Sequence, residues 1–100
     1  MAEPNFVVVS PHNYNSTTVG LAATVQVSAV MPNFLITEYF VNFEDTGNQV
    51  AVKPLQVDSG YIVLSKKPGL GLELNEKELI KRAYRQYPPR SLRRPKQEGP

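Results

Sequence analysis

The chain contains no cysteine, which excludes a disulfide framework and any thiolate metal site. No apolar run approaches the roughly 20 residues a membrane helix needs. No basic segment followed by a long apolar core marks a secretory signal. These absences lead to the expectation of a cytoplasmic chain with no membrane partner, and make the Asn15-Ser16-Thr17 sequon a chance match. Histidine occurs once, at His12, and one imidazole among scattered acids does not form a closed metal site. No internal repeat is present. Basic residues are also scarce at first: residues 1–64 hold only Lys53 against Glu3, Glu38, Glu44, Asp45 and Asp58. Residues 65–100 reverse the balance, and the whole carries +2. A basic C-terminal third raises the question of nucleic acid. Its Lys and Arg are interspersed with Pro and acids and accompany no nucleic-acid motif. A solvated helix face with a basic tail is the plainer reading, and no nucleic-acid partner is expected.

What is present is a chain of 100 residues, enough for one small domain or part of a larger one. Residues 6–10 form a continuous apolar, β-branched run, the pattern of a strand buried on both faces. Pro11 ends it, having no N–H to donate. Ser16 is a candidate N-cap, and a helix is predicted over 17–30. Its small residues, Gly20, Ala22, Ala23, Ser28 and Ala29, suit close packing on a sheet. Its β-branched content lowers intrinsic helicity, so tertiary packing must hold it. Met31-Pro32-Asn33 stops it. Residues 34–37 form a second short apolar run ending at Glu38.

Strand, helix, strand in this order make a βαβ unit with parallel strands and a right-handed crossover. Both strands point the same way, so topology alone places His12 and Glu38 at the same end of the sheet. Further on, Asp45-Thr46-Gly47-Asn48 reads as a turn. Residues 55–57 and 61–64 read as a hairpin around Asp58-Ser59-Gly60. Lys66-Lys67-Pro68-Gly69 reads as a loop. Asn75, with Glu78 three residues on, caps a helix predicted over 76–84.

His12 follows a buried-looking strand, where α/β folds house their chemistry, and an imidazole suits acid–base work near neutral pH. The bland alternative is a surface His. Glu38 is either a solvated strand-end carboxylate or a partly buried carboxyl that meets a substrate carboxylate. Gly69-Leu70-Gly71 is a lone G-x-G without the third Gly or the strand-to-helix setting of a dinucleotide site, and a turn is the simpler reading.

Four stretches together resemble a known family. They are Ser10-Pro11-His12-Asn13, Val19-Gly20-Leu21-Ala22-Ala23, Met31-Pro32-Asn33-Phe34-Leu35-Ile36-Thr37-Glu38-Tyr39 and Lys67-Pro68-Gly69-Leu70-Gly71-Leu72-Glu73-Leu74-Asn75. In this order they resemble the C-terminal part of the mandelate racemase/muconate lactonizing branch of the enolase superfamily. The third stretch is most similar to the acid-sugar dehydratases of the galactonate and mannonate type.

The resemblance implies an α/β fold: the C-terminal fragment of a (β/α)8 TIM-type barrel. Residues 1–40 would be its last two strands and the helix between them. Residues 41–86, a hairpin and a short helix, would return to a capping domain, and 87–100 would be an extended tail. It also implies a mechanism: a sugar acid bound on Mg²⁺ loses the proton alpha to its carboxylate, then its 3-hydroxyl, giving a 2-keto-3-deoxy acid. His12 takes the catalytic place as base or acid. Glu38 hydrogen-bonds the substrate carboxylate, and Asn13 is a weaker substrate-loop candidate. The family's metal-binding carboxylates, and the Asp that orients its His, come from strands outside this stretch. The expectation is therefore no metal ligand here, no activity from these residues alone, and a homo-oligomer when complete. A racemase or cycloisomerase of the same superfamily stays open, as does a non-catalytic module in which His12 is incidental.

Overall fold

The structure is a computed structural model that describes residues 2–14 and 16–86. The tail expected over 87–100 and Asn15 of the sequon lie outside the described residues. The longest element is helix α1, Thr18–Ser28. Thr18, Leu21, Ala22, Val25 and Ser28 are buried, and this spacing is one face of a helix. Val19, Ala23 and Val27 make other sides apolar too, and a helix apolar on several sides calls for cover on more than one. Val27 and Val30 nonetheless remain exposed. The N-cap is Thr17, not Ser16, and it makes no side-chain cap bond. Ser16 packs down on the first turn instead: a Cβ at Gly20 would lie 3.1 Å from the Ser16 Cβ.

The segments flanking α1 meet in parallel, as the βαβ reading predicts, but only at Val9 and Phe34. Val9 N–H donates to Asn33 O at 2.8 Å, and Leu35 N–H donates to Val9 O at 2.9 Å. The Asn33 side-chain amide donates to Val7 O at 2.7 Å. The buried strand expected over 6–10 is corrected. Phe6 is 98% exposed, and Val7, Val8, Leu35 and Ile36 are exposed as well. Among the described residues no third strand flanks this pair, so apolar side chains that a wider sheet would cover stay open to solvent.

After Phe40 a 3-10 turn, Val41–Phe43, runs into helix α2, Glu44–Asn48. The turn expected at 45–48 is thus a helical turn. Its cause is tertiary: the buried Thr18 hydroxyl donates to Gly47 O at 2.8 Å and lies 2.7 Å from Asn48 Oδ1. The hairpin is present as β1, Val57–Asp58, and β2, Tyr61–Ile62, paired antiparallel. It is shorter than its apolar flanks suggested. Ser59 (φ 50°) and Gly60 (φ 82°) are both left-handed, as a two-residue primed turn requires.

Residues on either side of the hairpin close back on each other. Val52 N–H donates to Glu73 O at 2.8 Å and Asn75 N–H to Val50 O at 2.9 Å, around an antiparallel bridge between Ala51 and Leu74. Helix α3 follows, Glu76–Lys81, ending before the predicted 84. Asn75 caps it by accepting from Glu78 N–H. The reciprocal half of the capping box does not form. The Glu78 carboxylate turns to Lys81 at 2.6 Å and Arg82 at 2.7 Å, and these two bonds lower its pKa.

The buried apolar core is small: Leu21, Ala22, Val25, Val50 and Ala51. The Cα radius of gyration is 17.3 Å, against about 13 Å for a compact domain of this length. A groove of about 860 Å³ opens between α1, residues 34–37 and the hairpin, walled by Val25, Phe34, Leu35, Ile36, Tyr61 and Ile62. The chain is therefore an open layer of α/β structure with much of its apolar surface uncovered.

Candidate active site

Pro11 has no N–H, so the parallel ladder cannot continue normally past Val9. The Pro11 carbonyl accepts the Glu38 N–H at 3.2 Å and the Thr37 hydroxyl at 3.3 Å. In a regular ladder the Thr37 N–H would take that carbonyl, as Leu35 takes Val9 two residues earlier. The one-residue slip resembles a bulge, and it sets Glu38 alongside His12.

The two side chains meet: His12 Nδ1 lies 2.9 Å from Glu38 Oε2. The Asn13 N–H donates to the same oxygen at 2.8 Å. His12 is 81% exposed and Glu38 40%, whereas Asn13 is buried. Asn13 was expected in a substrate loop. What the geometry gives it is the fixing of Glu38 through its backbone amide. An Nδ1–H directed at the carboxylate leaves Nε2 as the ring atom that accepts or delivers a proton.

Rings continue the same line. Tyr14 lies against Phe40 at 4.6 Å between centroids, and His12 stacks on Tyr14 at 6.4 Å and 21°. Sequence reasoning missed Tyr14, Phe40 and Thr37. The available signal was their register: Tyr14 and Phe40 each stand two residues beyond His12 and Glu38. Behind the rim, Tyr39 has its phenol pushed up to about 12 by burial, then by a hydrogen bond to Glu44 and that carboxylate's charge. Tyr39, Glu44, Thr18 and Asn13 line a cavity of about 20 Å³, room for about one water.

The residues present do not fit the Mg²⁺ that the resemblance implies. Among the described residues no group of three or more His, Asp or Glu is placed to hold a metal, and Glu38 Oε2 is already engaged by His12 and Asn13. Gly69 and Gly71 are both left-handed, at φ 64° and 71°, and Gly71 N–H closes on Pro68 O, so the G-x-G is a turn. Among the described residues no helix is long and apolar enough to cross a membrane.

Comparison with known proteins agrees with this architecture. The enolase C-terminal domain-like family matches residues 1–78. The D-xylonate dehydratase of Haloferax volcanii is 31% identical over 75 residues, covering 75% of this chain and 18% of that protein. A D-galactonate dehydratase family member of Musicola paradisiaca is 36% identical over 58 residues, covering 58% of this chain and 14% of that protein. Among solved structures, a protein from Burkholderia SAR-1 assigned to the mandelate racemase/muconate lactonizing enzymes superposes with a TM-score of 0.72 at 35% identity, covering 88% of this chain and 21% of that one. A mandelate racemase/muconate lactonizing enzyme-like protein from Rubrobacter xylanophilus does so with 0.72 at 30%, covering 88% and 22%. The chain spans about a fifth of the length of these relatives or less. It belongs to the enolase C-terminal domain-like family, whose fold is the TIM barrel.

Proposed function

We propose that this chain is the segment of an acid-sugar dehydratase that brings the His12–Glu38 pair to the rim of the barrel. Residues 1–40 then carry the last two strands, and 41–86 lead back toward a capping domain. The observation that carries the reading is the contact between His12 Nδ1 and Glu38 Oε2, which leaves Nε2 as the proton-transfer atom. Nε2 takes the proton from the carbon alpha to the substrate carboxylate, and the electron pair passes into an enediolate. Nε2 then returns its proton to the 3-hydroxyl, which leaves as water as the C3–O bond breaks. The resulting enol becomes the 2-keto-3-deoxy acid. Glu38, its Oε2 held by Asn13 and His12, shares a proton between its other oxygen and the substrate carboxylate. The dehydratase names of the relatives from Haloferax and Musicola support this substrate class.

The proposed chemistry belongs to the complete barrel, because the resemblance places the family's metal-binding carboxylates on strands outside this stretch. The test is made in the complete barrel protein with D-xylonate and D-galactonate. His12→Asn and Glu38→Gln each lower the formation of the 2-keto-3-deoxy acid by about 10²–10⁴-fold, the usual weight of acid–base catalysis. Unchanged turnover in His12→Asn overturns the proposal. The solved mandelate racemase/muconate lactonizing relatives favour a second reading: racemisation or cycloisomerisation with the same His12. Inversion of the alpha carbon without loss of water would establish it instead.

A further inference from the structure

We infer that Tyr14, backed by Phe40, is a positioning residue for the His12 imidazole, an inference that rests on the reading of His12 as the acid–base group. A contact from Nδ1 to one carboxylate oxygen fixes one edge of the ring. It leaves the ring free to turn about the line joining the two atoms. The His12 side chain is 81% exposed, so the surrounding protein does not stop that turning. The Tyr14 ring does. It lies 6.4 Å from the imidazole and only 21° from parallel, within the distance at which aromatic rings pair. Glu38 thus fixes an edge and Tyr14 a face, and together they set the direction of Nε2.

Tyr14 is itself 55% exposed and needs a support of its own. Phe40 supplies it at 4.6 Å and 40°, the closest ring contact on this rim. The two contacts share one pair of segments: His12 and Tyr14 follow the Val9 side of the parallel bridge, Glu38 and Phe40 the Phe34 side. The slip at Pro11 that aligns His12 with Glu38 also aligns Tyr14 with Phe40. The polar pair and the ring pair are consequences of one register, and the ring pair braces the polar one.

The test uses the 100-residue chain, in which His12 is the only histidine and its imidazole signals need no further assignment. Imidazole ¹⁵N shifts of the neutral ring read which nitrogen carries the proton, and a nuclear Overhauser effect reads its contact with residue 14. Amide signals of Leu21 and Val25 report whether α1 stays folded. In the unsubstituted chain and in Tyr14→Phe, the Nδ1–H tautomer dominates and the ring contact is present. In Tyr14→Leu the Nδ1–H excess is lost while α1 persists, and Phe40→Leu loses part of it. An excess that survives Tyr14→Leu, or is missing from the unsubstituted chain, overturns the inference. So does a Tyr14→Leu chain that loses α1 together with the excess, since Tyr14 is then simply structural. The readout involves no turnover, so a failed dehydratase assay overturns the functional proposal alone.

Discussion

His12 and Glu38, one from each end of the βαβ unit, meet through Nδ1 and Oε2 at 2.9 Å. The Asn13 N–H closes on the same oxygen at 2.8 Å. The consequence is directional. A carboxylate that receives both donors is held in place, and an imidazole held through Nδ1 keeps Nε2 free of that contact. The pair depends on the break in the ladder at Pro11, because a regular parallel register would set Thr37 there instead.

Gly71 is a site where a side chain has no room. Its φ is +71°, and a Cβ would collide with the Ser65 side chain. Gly71→Ala is expected to destabilise the chain by about 1–3 kcal/mol, the cost of a strained backbone position. Urea denaturation reads this as a lowered midpoint. An unchanged midpoint would mean that the 65–71 loop reorganises freely.

Asn75 caps α3 through Glu78 N–H. Asn75→Ala is expected to cost about 1 kcal/mol, as the loss of an N-cap does. Amide exchange at Glu78 and Leu79 should accelerate, while exchange at Val63, bonded to Gln56 O across the hairpin, should not. Equal acceleration at both sites would show that the cap supports the whole chain rather than α3.

Tyr39 has its phenol pushed up to about 12 from an ordinary value near 10. The folded chain therefore holds this proton more tightly than the unfolded chain between those values. Its contribution to stability is whole below about pH 10 and is lost as pH rises toward 12. Denaturation midpoints across this range should fall in the unsubstituted chain and fall less steeply in Tyr39→Phe. Parallel slopes would contradict the placement of Tyr39 beside Glu44.

Much of this was legible in the sequence. Parallel topology alone brought His12 and Glu38 to one rim, and Asn75 with Glu78 announced the start of α3. The Asp58-Ser59-Gly60 turn signalled the hairpin. Other features depend on contacts between distant residues. The 45–48 segment has the composition of a turn, but the Thr18 hydroxyl, far away in the chain, holds Gly47 and Asn48 in a helical one. The slip at Thr37 and Glu38 follows from a missing donor on the opposite segment. The composition of the 6–10 run demands cover. Among the described residues that cover is lacking, and Phe6, Val7 and Val8 stand in solvent.

The most direct test of the central claim, that His12 moves the alpha proton, is deuterium exchange in the complete barrel protein. D-galactonate is incubated in D₂O, and its alpha-proton signal is followed by ¹H NMR, for the unsubstituted protein and for His12→Asn. The account predicts that washout of the signal and formation of the keto acid both slow by about 10²-fold or more in His12→Asn. Washout and keto-acid formation at the unsubstituted rates would contradict it.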